Sequence, residues 1–439
     1  MLKDVNINHL HLKTKDKQQA LRRIEMIRNY RVTSFRGALM ACVLIVGLSV
    51  LCLSDAKSDD IKASDPKKSV VISADNDGTS VQTSEKYRDD VRFANFPAQK
   101  GLEMTPDEAT ELEKALEKNP DDLNTAAQLL GFYNNARGKN PDARKKREKL
   151  ILSLIQSHPD AAILGTYYGL LFRNDNCIEA QELWAKQVEE NPKSIPILMN
   201  AAHPFLIYPP QELQPDGGLA VKYLLQAQAI EPDSPIINEK LAQVYMISRR
   251  FPGADKKDLA AKELAELTKV YKNSDNEAQK SMMLPQMAKA SLEIPEELDS
   301  ADKQADLMIS NAQVALKNWP PAPGGTVWSG GRMISPDTVF LFYFGYFTKG
   351  MVALKKGDTD KAVEFLLKSA EAYKSQNALA NGPNMSLAKA LLEAGQKDAV
   401  IEFLGKCSKF WKNDQGITGK WTAEIKAGKI PDFGRSLYY

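Results

Sequence analysis

Few side chains in this sequence have the types and spacing that chemistry requires. The chain has 439 residues and four histidines, of which His158 and His203 lie in its long carboxyl-terminal part. Both precede a proline, a position typical of a helix boundary, so we predict neither as a general acid or base. Cys177 and Cys407 are far apart in sequence. We therefore expect neither a disulfide between them nor a shared metal site.

Other common catalytic patterns are also missing from the sequence. Paired glycines at 217–218, 324–325 and 330–331 lack the Lys-Ser/Thr or strand context of a phosphate-binding loop. The many carboxylates are expected on solvated helix faces, where they form ordinary i,i+4 pairs. We predict no catalytic residue, no metal site and no cofactor, and hence no enzyme. The formal net charge of +2 gives no case for binding nucleic acid.

One segment combines aromatic, proline and glycine residues in a way that suits ligand binding. Residues 319–337, WPPAPGGTVWSGGRMISPD, contain two of the five tryptophans. Aromatic rings and arginine supply contact area and donors at interfaces, so Trp319, Trp328 and Arg332 are the candidate ligand-binding residues. The alternative, which we favour, is that the tryptophans only pack this inserted loop against its neighbouring helices.

The elements that would position such residues are predicted to be helices. From Leu102 onward the apolar spacing is helical, and no run alternates as a strand would. Short polar turns with proline recur at Pro120, Pro159, Pro192 and Pro232, with spacings of 39, 33 and 40. Proline suits a helix boundary because it cannot donate to the helical ladder. A regular spacing of this kind predicts a repeat architecture.

The residues around these turns resemble the tetratricopeptide repeat, a 34-residue unit of two antiparallel helices. In KGMVALKKGDTDKAVEFLLKSAEAYKS the small and large residues match that pattern at Gly350, Ala353, Gly357, Ala362, Leu366 and Ala370. The stretch LAKALLEAGQKDAVIEFL repeats it at Leu387, Ala388, Leu391, Gly395, Ala399 and Phe403. The resemblance implies an all-α, TPR-like α-solenoid of about six to eight degenerate helix pairs over residues 102–318 and 338–412.

Further expectations concern single helices. Gly357 and Gly395 are predicted to end the first helix of their pairs, and Pro285 to kink or break its helix. The consecutive aromatic residues of TVFLFYFGYFTKG predict a helix that neighbours contact on several sides. Residues 413–439 are predicted as a capping helix and tail, with Trp421 and Ile425 facing inward.

The amino-terminal segment is predicted to direct the chain to or across a membrane. A basic tail, residues 1–36, precedes the apolar segment 37–54, whose run GALMACVLIVGLSVLCL begins at Gly37. Seventeen helical residues span roughly 25 Å, close to the lower limit for a hydrocarbon core. The basic flank places the amino terminus in the cytoplasm and the rest outside.

Three alternatives remain open for this segment. It is a signal peptide cleaved after Ala56, an uncleaved anchor, or a buried helix of a cytoplasmic protein. Signal-peptide proportions fit better if translation starts at Met26. Residues 55–101 are rich in Ser, Asp, Lys and Thr and are predicted to be a flexible, disordered linker.

These expectations together predict a non-enzymatic scaffold or adaptor of the cell envelope that binds a peptide or protein surface in the solenoid groove. It would be periplasmic, either anchored through residues 37–54 or, if cleaved after Ala56, released. The partner is a protein or peptide, because the fold supplies a surface and the sequence supplies no chemistry. The alternative is an extracytoplasmic ligand or glycan receptor that uses the inserted aromatic loop.

Overall fold

The computed structural model describes residues 83–138, 140–171, 177–207, 218–318, 336–371, 382–411 and 414–437, all in the compact unit Thr79–Tyr439. These residues form sixteen α-helices and short 3-10 turns and contain no β-strand, which confirms the all-α prediction. In chain order the helices are α1 Ser84–Gly101, α2 Pro106–Lys118, α3 Leu123–Ala136, α4 Pro141–Ser157, α5 Cys177–Glu190, α6 Ile195–Ile207, α7 Gly218–Ile230, α8 Pro235–Ser248, α9 Lys256–Asn273, α10 Glu277–Ser291, α11 Leu298–Asn318, α12 Pro336–Lys355, α13 Thr359–Glu371, α14 Ser386–Glu393, α15 Lys397–Cys407 and α16 Ile417–Lys426.

Local sequence signals define many of the helix ends. Thr105 and Glu108 form a reciprocal capping box at the start of α2, which also has proline at its first position. At carboxyl ends, Gly357 and Gly395 have left-handed backbones, with φ of 84° and 83°. Glycine adopts this conformation without steric cost, so both glycines end helices as predicted.

The helices pack as a series of neighbours. From α2 to α16, every helix contacts the next one along the described chain. Alternate helices also touch, as α6 does with α8, α10 with α12, and α12 with α14. Helices packed in neighbouring pairs are the arrangement of an α-solenoid. The aromatic helix α12 contacts α10, α11, α13 and α14, so the prediction of contacts on several sides is confirmed.

Apolar residues form two main buried clusters. The first extends from Tyr87 to Leu259 and the second from Leu284 to Phe433. A smaller cluster lies on α8, α9 and α10 between them. At the carboxyl end, Trp421 and Ile425 of α16 are 2% and 1% exposed, as the capping prediction expected.

The prediction of a disordered linker over residues 55–101 is wrong for its second part. Residues 84–101 form α1, a helix of 18 residues, instead of disordered chain. Its inward side follows a helical period, because Tyr87, Val91, Ala94, Ala98 and Gly101 are each three or four residues apart. Only one of these side chains is large, which is why the surrounding Ser, Asp and Lys dominated the composition.

At two prolines the predicted end of a helix does not occur. His203 does not mark a helix boundary, because α6 runs through both His203 and Pro204 to Ile207. Likewise α10 continues through Pro285 to Ser291. Each proline follows at least two turns of its helix. It lacks the backbone N–H that would donate within the helix, and the neighbouring helices packed against it hold the chain in place there.

No helix in the described part of the chain is long and apolar enough to span a bilayer. Residues 37–54 lie outside that part, so the signal or anchor assignment stays a prediction.

Candidate helix-binding interface

Helix α1 does not join the series of neighbouring pairs but lies across it. It contacts α3, the 3-10 turn Ala162–Gly165, α6 and α8. We call the surface that these four elements present to α1 the α1-binding face. The face is apolar at its centre, because nearly every described side chain of α6 is buried. A helix that is apolar all round must be covered on all sides, and α1 covers one of them.

The amino end of α1 is anchored by the turn between α7 and α8. The Ser84 backbone N–H lies 3.2 Å from both carboxylate oxygens of Glu231, and the Ser84 hydroxyl donates to Glu231 Oε2 at 2.5 Å. The Ser84 and Ser234 hydroxyl oxygens are 2.6 Å apart. A carboxylate at a helix amino terminus is favoured by the helix dipole and by its unpaired N–H groups. Glu231 therefore recognises a helix start, as an N-cap does.

One turn further on, a tyrosine is inserted into the α1-binding face. The Tyr87 hydroxyl donates to Asn200 Oδ1 at 2.7 Å. Asn200 is held in place because its Nδ2 donates to the carbonyls of Pro159 and Ala161, at 2.9 and 3.1 Å. Burial raises the pKa of Tyr87 above its ordinary value, so the phenol stays protonated and remains a donor.

Glycines make room for α1 at two places. A Cβ at Gly165 would overlap the Tyr87 hydroxyl, and one at Gly131 would overlap the Ala98 carbonyl oxygen. A Cβ at Gly101, on α1 itself, would overlap the Gln128 carbonyl oxygen. The carboxyl end of α1 thus crosses α3 with backbone against backbone. Just beyond it, the Asn135 amide donates to the Leu102 carbonyl at 2.9 Å.

A second polar cluster lies deeper in the chain, between α8, α9 and α10. Arg249 donates to the fully buried Glu263 at 2.5 Å, and Gln286 donates to the same carboxylate at 3.3 Å. Burial raises the pKa of Glu263, against the opposing effect of Arg249. Burial, together with the charges of Arg250 and Arg249, lowers the pKa of Lys289 to about 8. The Lys289 ammonium also lies 4.5 Å from the centre of the Phe344 ring.

We interpret this second cluster as structural. Its carboxylate already has two donors, and its lysine faces an aromatic ring, so these groups are satisfied by the protein itself. A buried pair of this kind fixes which helices meet, even where its net energy is small. It does not present a free reactive group.

The single buried histidine of the described chain is also unsuited to catalysis. His203 of α6 is 8% exposed. Burial, followed by the positive charge of Lys240, lowers the pKa of His203 to about 3, and the Thr166 backbone opposes this only in part. The ring is therefore neutral near pH 7 and would be a weak base there.

One open cleft of about 610 Å³ is lined mainly by residues of α2, together with Met104 and Gln128. Several acidic side chains line it, but Glu108 already caps α2 through Thr105. In the described ranges, no group of three or more His, Cys, Asp or Glu side chains is placed to hold a metal ion. The acidic side chains of the cleft therefore form no chemical centre, and Met104 and Leu112 give it an apolar part.

The structure does not describe the sequence-predicted site residues. Trp319, Trp328 and Arg332 lie outside the described residues, so their ligand-binding role stays a prediction. The residues that build the interface were missed: Ser84, Tyr87, Asn200, Glu231 and Gly165. The helical spacing from Tyr87 to Gly101 was a usable signal for α1. No local signal could have paired Tyr87 with Asn200, because 113 positions separate them.

No protein-family model and no curated protein matches the chain. The fold and the interface define its class on their own: an all-helical protein of solenoid-like packing that binds one of its own helices across several neighbouring elements.

Proposed function

We propose that this protein is a non-enzymatic scaffold or adaptor of the cell envelope that binds a peptide or protein surface along its solenoid. One observation supports this most directly, namely the placement of α1. A helix already lies across α3, α6 and α8, with polar anchors at its start and close backbone contact at its end. A surface that receives a helix in this way has the geometry of helix-in-groove recognition.

The proposal extends to the repeat type and the compartment. We infer that the helix pairs are degenerate tetratricopeptide repeats, on the basis of the motif around Gly357 and Gly395. We also infer that the chain is exported, either anchored through residues 37–54 or released after Ala56. Mass spectrometry of the mature amino terminus tests the second point. A peptide that starts at Lys57 excludes the anchor, and a peptide that spans Ala56 and Lys57 excludes cleavage at that site.

Site-specific photo-crosslinking tests the scaffold function. A photoreactive residue replaces Met282 of α10, which is 51% exposed, in the full chain expressed in its own cells. The matched control replaces Val314, which is 55% exposed on α11, the helix that we infer to be the outer member of the pair with α10. We expect discrete protein adducts from position 282 and few from position 314. Equal adducts at both positions, or none at either, would contradict the proposal.

A further inference from the structure

We propose that α1 is an exchangeable occupant of the α1-binding face, and that the same face binds an amphipathic helix of a protein partner in the same direction. The inference rests on the proposed scaffold function and specifies its ligand. The partner helix would begin with a residue such as serine, carry a tyrosine three positions later, and end with small residues at the spacing of Ala98 and Gly101.

The face recognises a helix through features that depend on direction. Glu231 and Ser234 contact only the amino end, where unpaired N–H groups are present. Asn200 accepts a hydrogen bond from a hydroxyl one turn further along. Gly131 admits only a small residue near the carboxyl end. A helix in the opposite direction would place carbonyl groups against the Glu231 carboxylate, which is unfavourable.

Few apolar side chains of α1 are buried against the α1-binding face, which makes exchange feasible. Of its apolar side chains, only Tyr87 and Ala98 are almost fully buried, at 3% and 0% exposure. Its outer side is charged and also exposes Phe93 by 63% and Phe96 by 46%. The free energy of opening a segment falls with the number of buried apolar contacts that it makes. Helix α1 should therefore open well before α6, which is buried along its described length.

A reversible lock tests the exchange. The Ser84 and Ser234 hydroxyl oxygens are 2.6 Å apart, so the double variant Ser84→Cys/Ser234→Cys places two sulfurs within reach of a disulfide. The probe is a fluorescent peptide of residues 83–102, added to the full chain and followed by anisotropy. We expect binding when the variant is reduced and loss of binding when it is oxidised. Equal binding in both redox states would overturn the proposal.

A variant of α1 alone provides the matched comparison. Tyr87→Ala in the full chain weakens the internal helix but leaves every residue of the α1-binding face unchanged. We expect the wild-type peptide to bind this chain about tenfold more tightly or better than it binds the wild-type chain. The same peptide with Tyr87→Ala should not bind. Failure of the wild-type peptide to bind a Tyr87→Ala chain that retains its helical circular dichroism would overturn the proposal.

Exchange between two copies is the competing outcome. If the reduced double variant forms a dimer that is absent after oxidation, and binds no peptide, the occupant is a second copy and the partner proposal is wrong. Light scattering on the same samples decides this.

The two proposals can fail separately. If photo-adducts at position 282 persist in the oxidised, locked chain, the scaffold function stands and the exchange proposal falls. If the peptide exchanges but position 282 yields no adduct, the helix-binding face stands and the wider scaffold function falls.

Discussion

The amino- and carboxyl-terminal halves of this protein are stabilised by different kinds of interior. Up to α9 the described chain buries the charged residues Arg147, Glu263 and Glu266, and most of its buried aromatic residues are tyrosines. Beyond α9 the buried polar side chains that the structure describes are uncharged, and the buried aromatic residues described there are mainly phenylalanine and tryptophan. These are Tyr343, Phe344, Phe347, Phe403, Trp411, Trp421 and Phe433.

This difference shows how each half specifies its arrangement. Hydrogen bonds and ion pairs are directional, and an unsatisfied buried partner is costly, so the first half defines which residues meet. Tyr87 with Asn200 and Arg249 with Glu263 are examples. Close-packed aromatic rings are less selective but contribute more apolar area, so the second half should contribute most of the stability.

The largest expected effect comes from Phe344 of α12. Its ring is 2% exposed and lies 5.6 Å from Tyr343 and 5.8 Å from Phe347, centre to centre. We expect Phe344→Ala to lower the free energy of unfolding by about 4 kcal/mol. The matched control, Phe342→Ala on the same helix, removes a half-buried ring and should cost less than half as much. Equal losses in urea denaturation would contradict the assignment of this stability to the buried aromatic rings of the second half.

A smaller and local effect is expected at Gly131 of α3. Because its Cβ would overlap the Ala98 carbonyl oxygen, Gly131→Ala must displace α1, at a cost of about 2 to 3 kcal/mol. We expect faster hydrogen exchange in the α1 amides and unchanged exchange in α12. Unchanged protection of α1 would show that the crossing is not close in solution.

Acidification should lower the stability of the first half through His203. The folded-state pKa of His203 is lowered to about 3, so the unfolded chain, with its ordinary pKa near 6.5, binds the proton more readily. The contribution of His203 to stability is complete above pH 6.5 and is lost as the pH falls toward 3. Between pH 7 and pH 4.5 the loss is on the order of 2 kcal/mol. The His203→Gln variant should not show this loss of unfolding free energy on acidification. If the wild type and the variant have the same dependence of unfolding free energy on pH, His203 makes no such contribution.

The smallest expected effect is a gain in stability from a substitution in the second half. Gly405 of α15 has no atom within 4 Å of the position of an added Cβ. Gly405→Ala should therefore stabilise the protein by about 0.5 kcal/mol, through helix propensity alone. The stability changes of Gly405→Ala and Gly131→Ala should have opposite signs. This would distinguish an open helix position from a close crossing of two helices. A rise in the melting temperature measures the gain.

The sequence predicted the second half better than the first, for a physical reason. The motif around Gly357 and Gly395, the aromatic helix and the burial of Trp421 depend on residues that are close in sequence. Local spacing is sufficient to predict them.

The interface of α1 depends on pairs that are distant in sequence. Ser84 meets Glu231 across 147 positions, and neither residue is unusual in its own surroundings. Glycines at 131 and 165 gave no signal either, because only the approach of another backbone explains them. Segment 319–337 was predicted as a candidate ligand-binding site from its composition. Composition alone does not show which residues lie close together in the fold.

The large sequence distance between Ser84 and Ser234 also has a consequence for the order of folding. During synthesis, the first turn of α1 leaves the ribosome more than a hundred residues before Asn200 and the α7–α8 turn that anchor it. Its carboxyl end can pair early with α3, but its amino end must wait, and closing so long a loop is slow. We therefore expect docking of the first turn of α1 to be among the last events of folding, so that this end of the helix stays unpaired until then.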